Sequence, residues 1–171
     1  LDESTKKIME RTKKPFTIPI LDNCKLRILA LDPATHCGYA LSRELYGVWD
    51  LTPKRDESIG MRLIRLRAKL NEIITCENIN LVVFERPGGQ HQGAIIVHSE
   101  LQGQIKVTCE DRKINYRAYS SQEIKKFATG KGNANKLKVI AAAQEKLGYP
   151  GNNDNEADAL WLLELAKNDY T

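Results

Sequence analysis

The chain has 171 residues, 42% of them apolar and 28% charged, which suits one compact domain and is too short for two full-sized ones. No apolar run reaches the ~18 residues of a membrane-crossing helix, and the charged start LDESTKKIMERTKKP lacks the apolar stretch of a secretory signal. The formal charge of +4 is small, so where the charges lie matters more than their sum.

Residues 1–25 read as a basic arm or linker. Lys6, Lys7, Arg11, Lys13 and Lys14 cluster there, and Pro15 and Pro19 break the stretch leading to the first apolar run. The remainder, 26–171, reads as one domain. Cys24, Cys37, Cys76 and Cys109 form no CxxC pair or Cys/His quartet, so neither a structural zinc site nor a disulfide framework is expected. Reduced thiols in an intracellular protein are expected.

LRILALD (26–32) is a short apolar run ending in a carboxylate and predicts a buried strand. Pro33 and Gly38 bracket a turn, and YALS and YGVWDL predict two further strands of an antiparallel meander. Ile59, Leu63, Leu66, Leu70 and Ile73 recur at helical spacing, with Arg62, Arg65, Arg67 and Lys69 opposite. INLVVFE (79–85) is again a buried strand ending in a carboxylate. A loop rich in glycine comes next, then a helix over 94–112 and a strand at NYRAY (115–119). Ser120 and Glu123 predict a capping box. Further helices are expected over about 134–147 and 155–167. Strands alternating with helices after a meander predict an α/β fold, a mixed five-stranded sheet flanked by helices.

Three carboxyl-bearing segments converge in this scheme. Asp32 and Glu85 end strands, and the last helix opens with DNEAD (154–158). Ligands of α/β sheets gather at such strand ends, and a carboxylate there is costly without a compensating cation. Asp154 and Asp158 are four apart and share a helix face; Asp154 alone reads as an N-cap before it reads as a ligand. Charge also separates along the chain. Gln104 to Lys138 holds nine Lys or Arg and three Asp or Glu, whereas 152–171 holds five acids and one lysine. An acidic site beside a phosphate-binding surface accounts for that pattern, and so do ordinary solvated helix faces. Trp49 and Trp161 lie in apolar stretches and read as packing residues.

LALDPATHCGYAL, LVVFERP, GKGNANKLKV and NDNEADALWLL together resemble the RuvC family of Holliday-junction resolvases, particularly its phage-like and mobile-element-like members. The resemblance covers about 26–167. It implies the ribonuclease-H-like fold, a homodimer, and nicking of opposed strands of four-way DNA junctions with Mg²⁺ or Mn²⁺, two ions per site. By motif, Asp32, Glu85 and Asp158 correspond to metal ligands. The family usually has Asp or His three residues before the last Asp; here Asn155 stands there, and Asp154 is the expected fourth ligand. Lys136 is expected to offset charge on the scissile phosphate. Lys125, Lys126, Lys131, Lys138 and Arg86 are expected on DNA with it. The loop RPGGQHQG lacks the aromatic residue that well-studied members place shortly after the second ligand, leaving Arg86, Gln90, His91 and Gln92 as polar contacts. Ile95, Ile96, Leu101, Ile105 and Val107 read as a dimer interface or as core. The competing functional readings are a superfamily nuclease acting on other branched DNA or RNA–DNA hybrid, and an inactive junction-binding module.

Overall fold

The computed structural model describes residues 25–88 and 92–170. The expected N-terminal arm, and Gln90 and His91, lie outside them except for Lys25. Five strands form one sheet: β1 (Ile28–Asp32), β2 (His36–Ala40), β3 (Tyr46–Asp50), β4 (Leu81–Glu85) and β5 (Asn115–Tyr119). Their order is β3-β2-β1-β4-β5. β1, β2 and β3 pair antiparallel, as the expected meander requires, and β4 and β5 join parallel to β1. Five helices cover the sheet: α1 (Met61–Cys76), α2 (Gln92–Arg112), α3 (Ser121–Thr129), α4 (Lys136–Leu147) and α5 (Asp154–Tyr170). No helix among the described residues is long and apolar enough to cross a membrane. Cys37, Cys76 and Cys109 are free thiols.

The two-residue period of a strand sends alternate side chains to opposite faces, and both faces of β1 and β4 are buried. Leu29, Leu31, Val82 and Phe84 pack with Leu66, Leu70, Leu101 and Ile105 of α1 and α2. Ile28, Ala30, Leu81 and Val83 pack on the other side with Ile124, Val139 and the apolar residues of α3, α4 and α5. α5 is the central helix of that layer, with eight buried residues from Ala157 to Ala166. Trp161 is buried there, its Nε1 donating to the Val139 carbonyl at 3.2 Å, and Trp49 stacks on Tyr39 at 4.7 Å. Both tryptophans are packing residues, as expected.

Local signals place most boundaries. Ser120 and Glu123 form the full capping box at the start of α3, and Gly130, with φ of 78°, ends it in the left-handed conformation. Asn135 caps α4 through the Lys138 N–H. Three expectations need correction. Ile59 is not on the buried face of α1; the helix begins after Gly60, and Ile59 is exposed. The second strand ends at Ala40 rather than Ser42, because Leu41 and Ser42 turn to bond Leu45.

The third correction concerns Gly38, which lies inside β2 opposite Asp32 and not in a turn. A Cβ at Gly38 would stand 2.0 Å from the carbonyl oxygen of Asn155. The glycine is therefore there for close approach: it lets the first turn of α5 settle directly on β2, beside the end of β1.

Candidate active site

Parity and register bring the two strand-end carboxylates together. Asp32 follows Ile28 and Ala30 on the face covered by α5, and Glu85 follows Leu81 and Val83 on the same face. β1 and β4 run parallel with Leu31 opposite Phe84. The next step of that register sets Asp32 beside Glu85, on strands about 4.8 Å apart. α5 supplies Asp158 one turn in from its start, over the same sheet edge, because Gly38 admits the helix there.

Electrostatics report how crowded these charges are. Asp32 is buried, and its carboxyl is held well above the usual range, first by burial and then by the charges of Glu85, Asp158 and Asp154; Lys136 offsets part of this. Burial, followed by Asp158, pushes Glu85 up to about 7, against the pull of a Ser121 hydrogen bond and Lys125. Asp158 is raised to about 6, again mainly by burial, with Asp154 raising it and Lys125 and Lys136 lowering it. Burial leads each of these shifts, and neighbouring like charges add to it.

Asp154 behaves differently. It is ion-paired with Lys136, from the first turn of α4, and this contact holds its carboxyl below the ordinary value. Its cap role falls to Asn153, whose Oδ1 accepts from the N–H groups of Asn155 at 2.9 Å and Glu156 at 3.3 Å. Tyr149 pins the same turn. Its hydroxyl donates to Glu156 Oε2 at 2.6 Å and accepts from the Asn153 N–H at 3.0 Å. Tyr149→Phe is expected to cost about 1–2 kcal/mol, read as a lower urea midpoint with unchanged m-value.

The expected basic residues divide. Lys125 and Lys136 act on the carboxylates, whereas Lys126 lines a separate hollow with Arg117, Tyr119 and Phe127. Lys131 and Lys138 are exposed. Arg86, also exposed, lies 3.6 Å from Glu123. Two supporting residues escaped the sequence reading. Buried Gln102 donates from Nε2 to the Glu85 carbonyl at 2.8 Å, fixing the strand end; the signal was a glutamine inside the apolar face of LQGQI. Ser121 bonds the Glu85 carboxyl itself.

Among the described residues no three His, Cys, Asp or Glu side chains converge into a ready metal cluster. The donor chemistry of Asp32, Glu85 and Asp158 nonetheless fits a hard divalent cation: three carboxylates on two strands and a helix, each raised by burial and its neighbours. A bound cation relieves that repulsion.

A family model described as "Crossover junction endodeoxyribonuclease RuvC" matches residues 28–163. A protein of that name from Prochlorococcus marinus (strain MIT 9312) is 28% identical over 152 residues, covering 79% of this chain and 92% of the relative. The one from Gloeobacter violaceus is 26% identical over 149 residues, covering 80% and 85%. Among solved structures, RuvC from Thermus thermophilus superposes with a TM-score of 0.66 at 19% identity, over 85% of this chain and 98% of that one. The same protein in complex with a Holliday junction substrate gives 0.65 at 20% identity, over 82% and 92%. The yeast mitochondrial Holliday junction resolvase Ydc2 gives 0.57 at 16% identity, over 82% and 77%. With its sheet order, its strand-end carboxylates and this match over most of its length, the chain belongs to the crossover junction endodeoxyribonuclease RuvC family.

Proposed function

We propose that this chain is a metal-dependent endonuclease that resolves four-way DNA junctions by paired nicking, with Asp32, Glu85 and Asp158 as its core metal ligands. The observation that carries the reading is the shared sheet edge, where β1, β4 and α5 deliver the buried Asp32 and the half-buried Glu85 and Asp158, all held above the ordinary carboxylate range. Nucleases of this family are metal-dependent in general, and carboxylate oxygens suit Mg²⁺ or Mn²⁺. Two ions per site would supply a hydroxide for in-line attack and stabilise the leaving oxygen.

The chain's own groups do the remaining work. The carboxylates hold the reacting phosphate's surroundings at a fixed place on a rigid sheet. Lys136 carries the positive charge that faces the phosphoryl oxygens as negative charge grows there. Asp154 is held by Lys136 in the structure, so it joins the ligand set as a fourth carboxylate only by releasing that lysine. Lys125 stands by Glu85 and Asp158, and Lys126, Lys131, Lys138 and Arg86 extend the basic surface along which the DNA backbone runs.

Two opposed nicks call for two active sites, hence a homodimer. Leu101 and Ile105 of α2 belong to the core, but Ile96 and Val107 on the same helix are 59% and 56% exposed. These two are the proposed anchors of the dimer contact. The double substitution Ile96→Asp with Val107→Asp is expected to give a monomer by light scattering, with single rather than paired nicks and an unchanged melting temperature of the monomer fold.

The functional test is cleavage of labelled four-way junction, linear duplex and RNA–DNA hybrid, with Mg²⁺ or EDTA, beside Asp32→Asn. Symmetric nicks in the junction alone, lost with EDTA and in the variant, are expected. Binding without cleavage under either Mg²⁺ or Mn²⁺ would leave a junction-binding module, and cleavage of the hybrid instead would overturn the substrate.

A further inference from the structure

The end of β4 poses a backbone problem that strand pairing alone does not solve. On the β5 side the pairing runs out to Glu85 opposite Tyr119, and the Arg86 N–H donates to the Tyr119 carbonyl at 2.7 Å. On the β1 side it stops one residue earlier, at Leu31 opposite Phe84. The reason lies in the sequence. The peptide between Glu85 and Arg86 is trans, so its carbonyl points away from β5 and toward β1. In a parallel ladder that carbonyl takes the N–H of the residue after its opposite number. The opposite position is Asp32, and the residue after it is Pro33, which has no N–H to give.

Gln102 of α2 fills this gap. Its Nε2 donates to the Glu85 carbonyl at 2.8 Å, across 17 residues of chain. Gln102 is 5% exposed, one of three buried polar or charged residues among those described, with Asp32 and Thr108. Leu101 and Ile105 beside it are core residues, and an amide in such a place is costly unless it is bonded. Thr108 is satisfied within its own helix by Gln104, whereas Gln102 reaches out to the catalytic edge. Glu85 is therefore held twice, by Gln102 at its backbone and by Ser121 at its carboxyl.

We infer that Gln102 is a positioning residue for the cation site: it stands in for the ladder donor that Pro33 removes, and so holds the Glu85 carboxylate beside Asp32 and Asp158. The inference rests on the metal-dependent reading above. It extends that reading from the carboxylates to the group that sets one of them in place. Partners that orient a metal ligand are worth about 10- to 100-fold in affinity.

The test is Mn²⁺ binding to the full-length protein without DNA, by isothermal titration calorimetry, with melting temperatures recorded in EDTA. Gln102→Leu and Gln102→Met both remove the donor while filling its space, and Pro33→Ala restores an N–H at the ladder position. Either Gln102 substitution is expected to raise the Mn²⁺ dissociation constant about tenfold. In the Pro33→Ala background the same change should raise it less than about threefold, because the two groups serve one carbonyl. Gln102 variants that melt lower yet bind Mn²⁺ with unchanged affinity would have lost packing only, which overturns the inference. Equal losses in both backgrounds overturn it as well. No Mn²⁺ binding by the unsubstituted protein, or binding that Asp32→Asn leaves unchanged, overturns the metal-site reading, and the inference with it.

Discussion

In metal-free buffer at pH 8, Glu85→Gln is expected to melt about 6–12 °C above the unsubstituted protein while cutting no junction. Glu85 is raised to about 7 by burial and Asp158, against an ordinary value near 4.5. Ionising it inside the fold at pH 8 therefore costs about 3 kcal/mol relative to the unfolded chain. Glutamine keeps the shape and removes that cost, and 1 kcal/mol moves the melting point of a chain this size by about 2–4 °C. Asp32→Asn should act in the same direction, because burial and three neighbouring acids raise it as well.

The pH dependence has a definite sign. A carboxyl whose folded-state pKa is raised contributes its full stability below the unfolded value and loses it as the pH climbs through the folded one. The advantage of Glu85→Gln should accordingly be large at pH 8 and shrink toward pH 4, across the window between the ordinary value of Glu85 near 4.5 and its folded value of about 7. Divalent cation should raise the melting point of the unsubstituted protein and leave that of Glu85→Gln nearly unmoved. Differential scanning calorimetry at several pH values, with and without Mg²⁺, measures all of this. A lower melting point for the variant at pH 8 would show that the carboxylate is satisfied by the protein alone.

Gly38→Ala is the smallest substitution with a large expected effect on both stability and activity. The added methyl would lie 2.0 Å from the Asn155 carbonyl oxygen and 2.7 Å from its carbon. Both obstacles are backbone, in the first turn of the central helix where it meets the sheet, so no side-chain rotation relieves them. Overpacking of this kind costs about 3 kcal/mol, a fall of roughly 6–12 °C in melting temperature. Moving α5 also moves Asp158 away from Asp32 and Glu85. A misplacement near 1 Å is worth about a hundredfold in rate, so the folded fraction should cut slowly at any Mg²⁺ concentration. Single-turnover cleavage rates, corrected for the folded fraction, check this. A rate equal to that of the unsubstituted protein would mean that the helix start does not set the site.

Gly38 also shows where the sequence misleads. A glycine shortly after a strand-ending Asp and a Pro reads as turn chemistry, since turns are the commonest use of a free backbone. Its actual neighbour is Asn155, far along the chain. By contrast, the burial and alternation of LALD and LVVFE carry enough information to set Asp32 and Glu85 on one face. The capping box at Ser120 is legible because both of its partners are local. The pairing of Lys136 with Asp154 and the hold of Gln102 on the Glu85 carbonyl depend on how helices dock, which periodicity does not encode. The same limit applies to α2. Its apolar residues are evident in the sequence, but only packing divides them into Leu101 and Ile105 in the core and Ile96 and Val107 outside.

The central claim is that Asp32, Glu85 and Asp158 hold a divalent cation at the common edge of β1, β4 and α5. Anomalous diffraction from crystals soaked in Mn²⁺ tests it most directly. The expected result is a peak bounded by these three carboxylates in the unsubstituted protein, absent in Asp158→Asn. A peak confined to other residues, or none at saturating Mn²⁺ in well-diffracting crystals, would contradict the account.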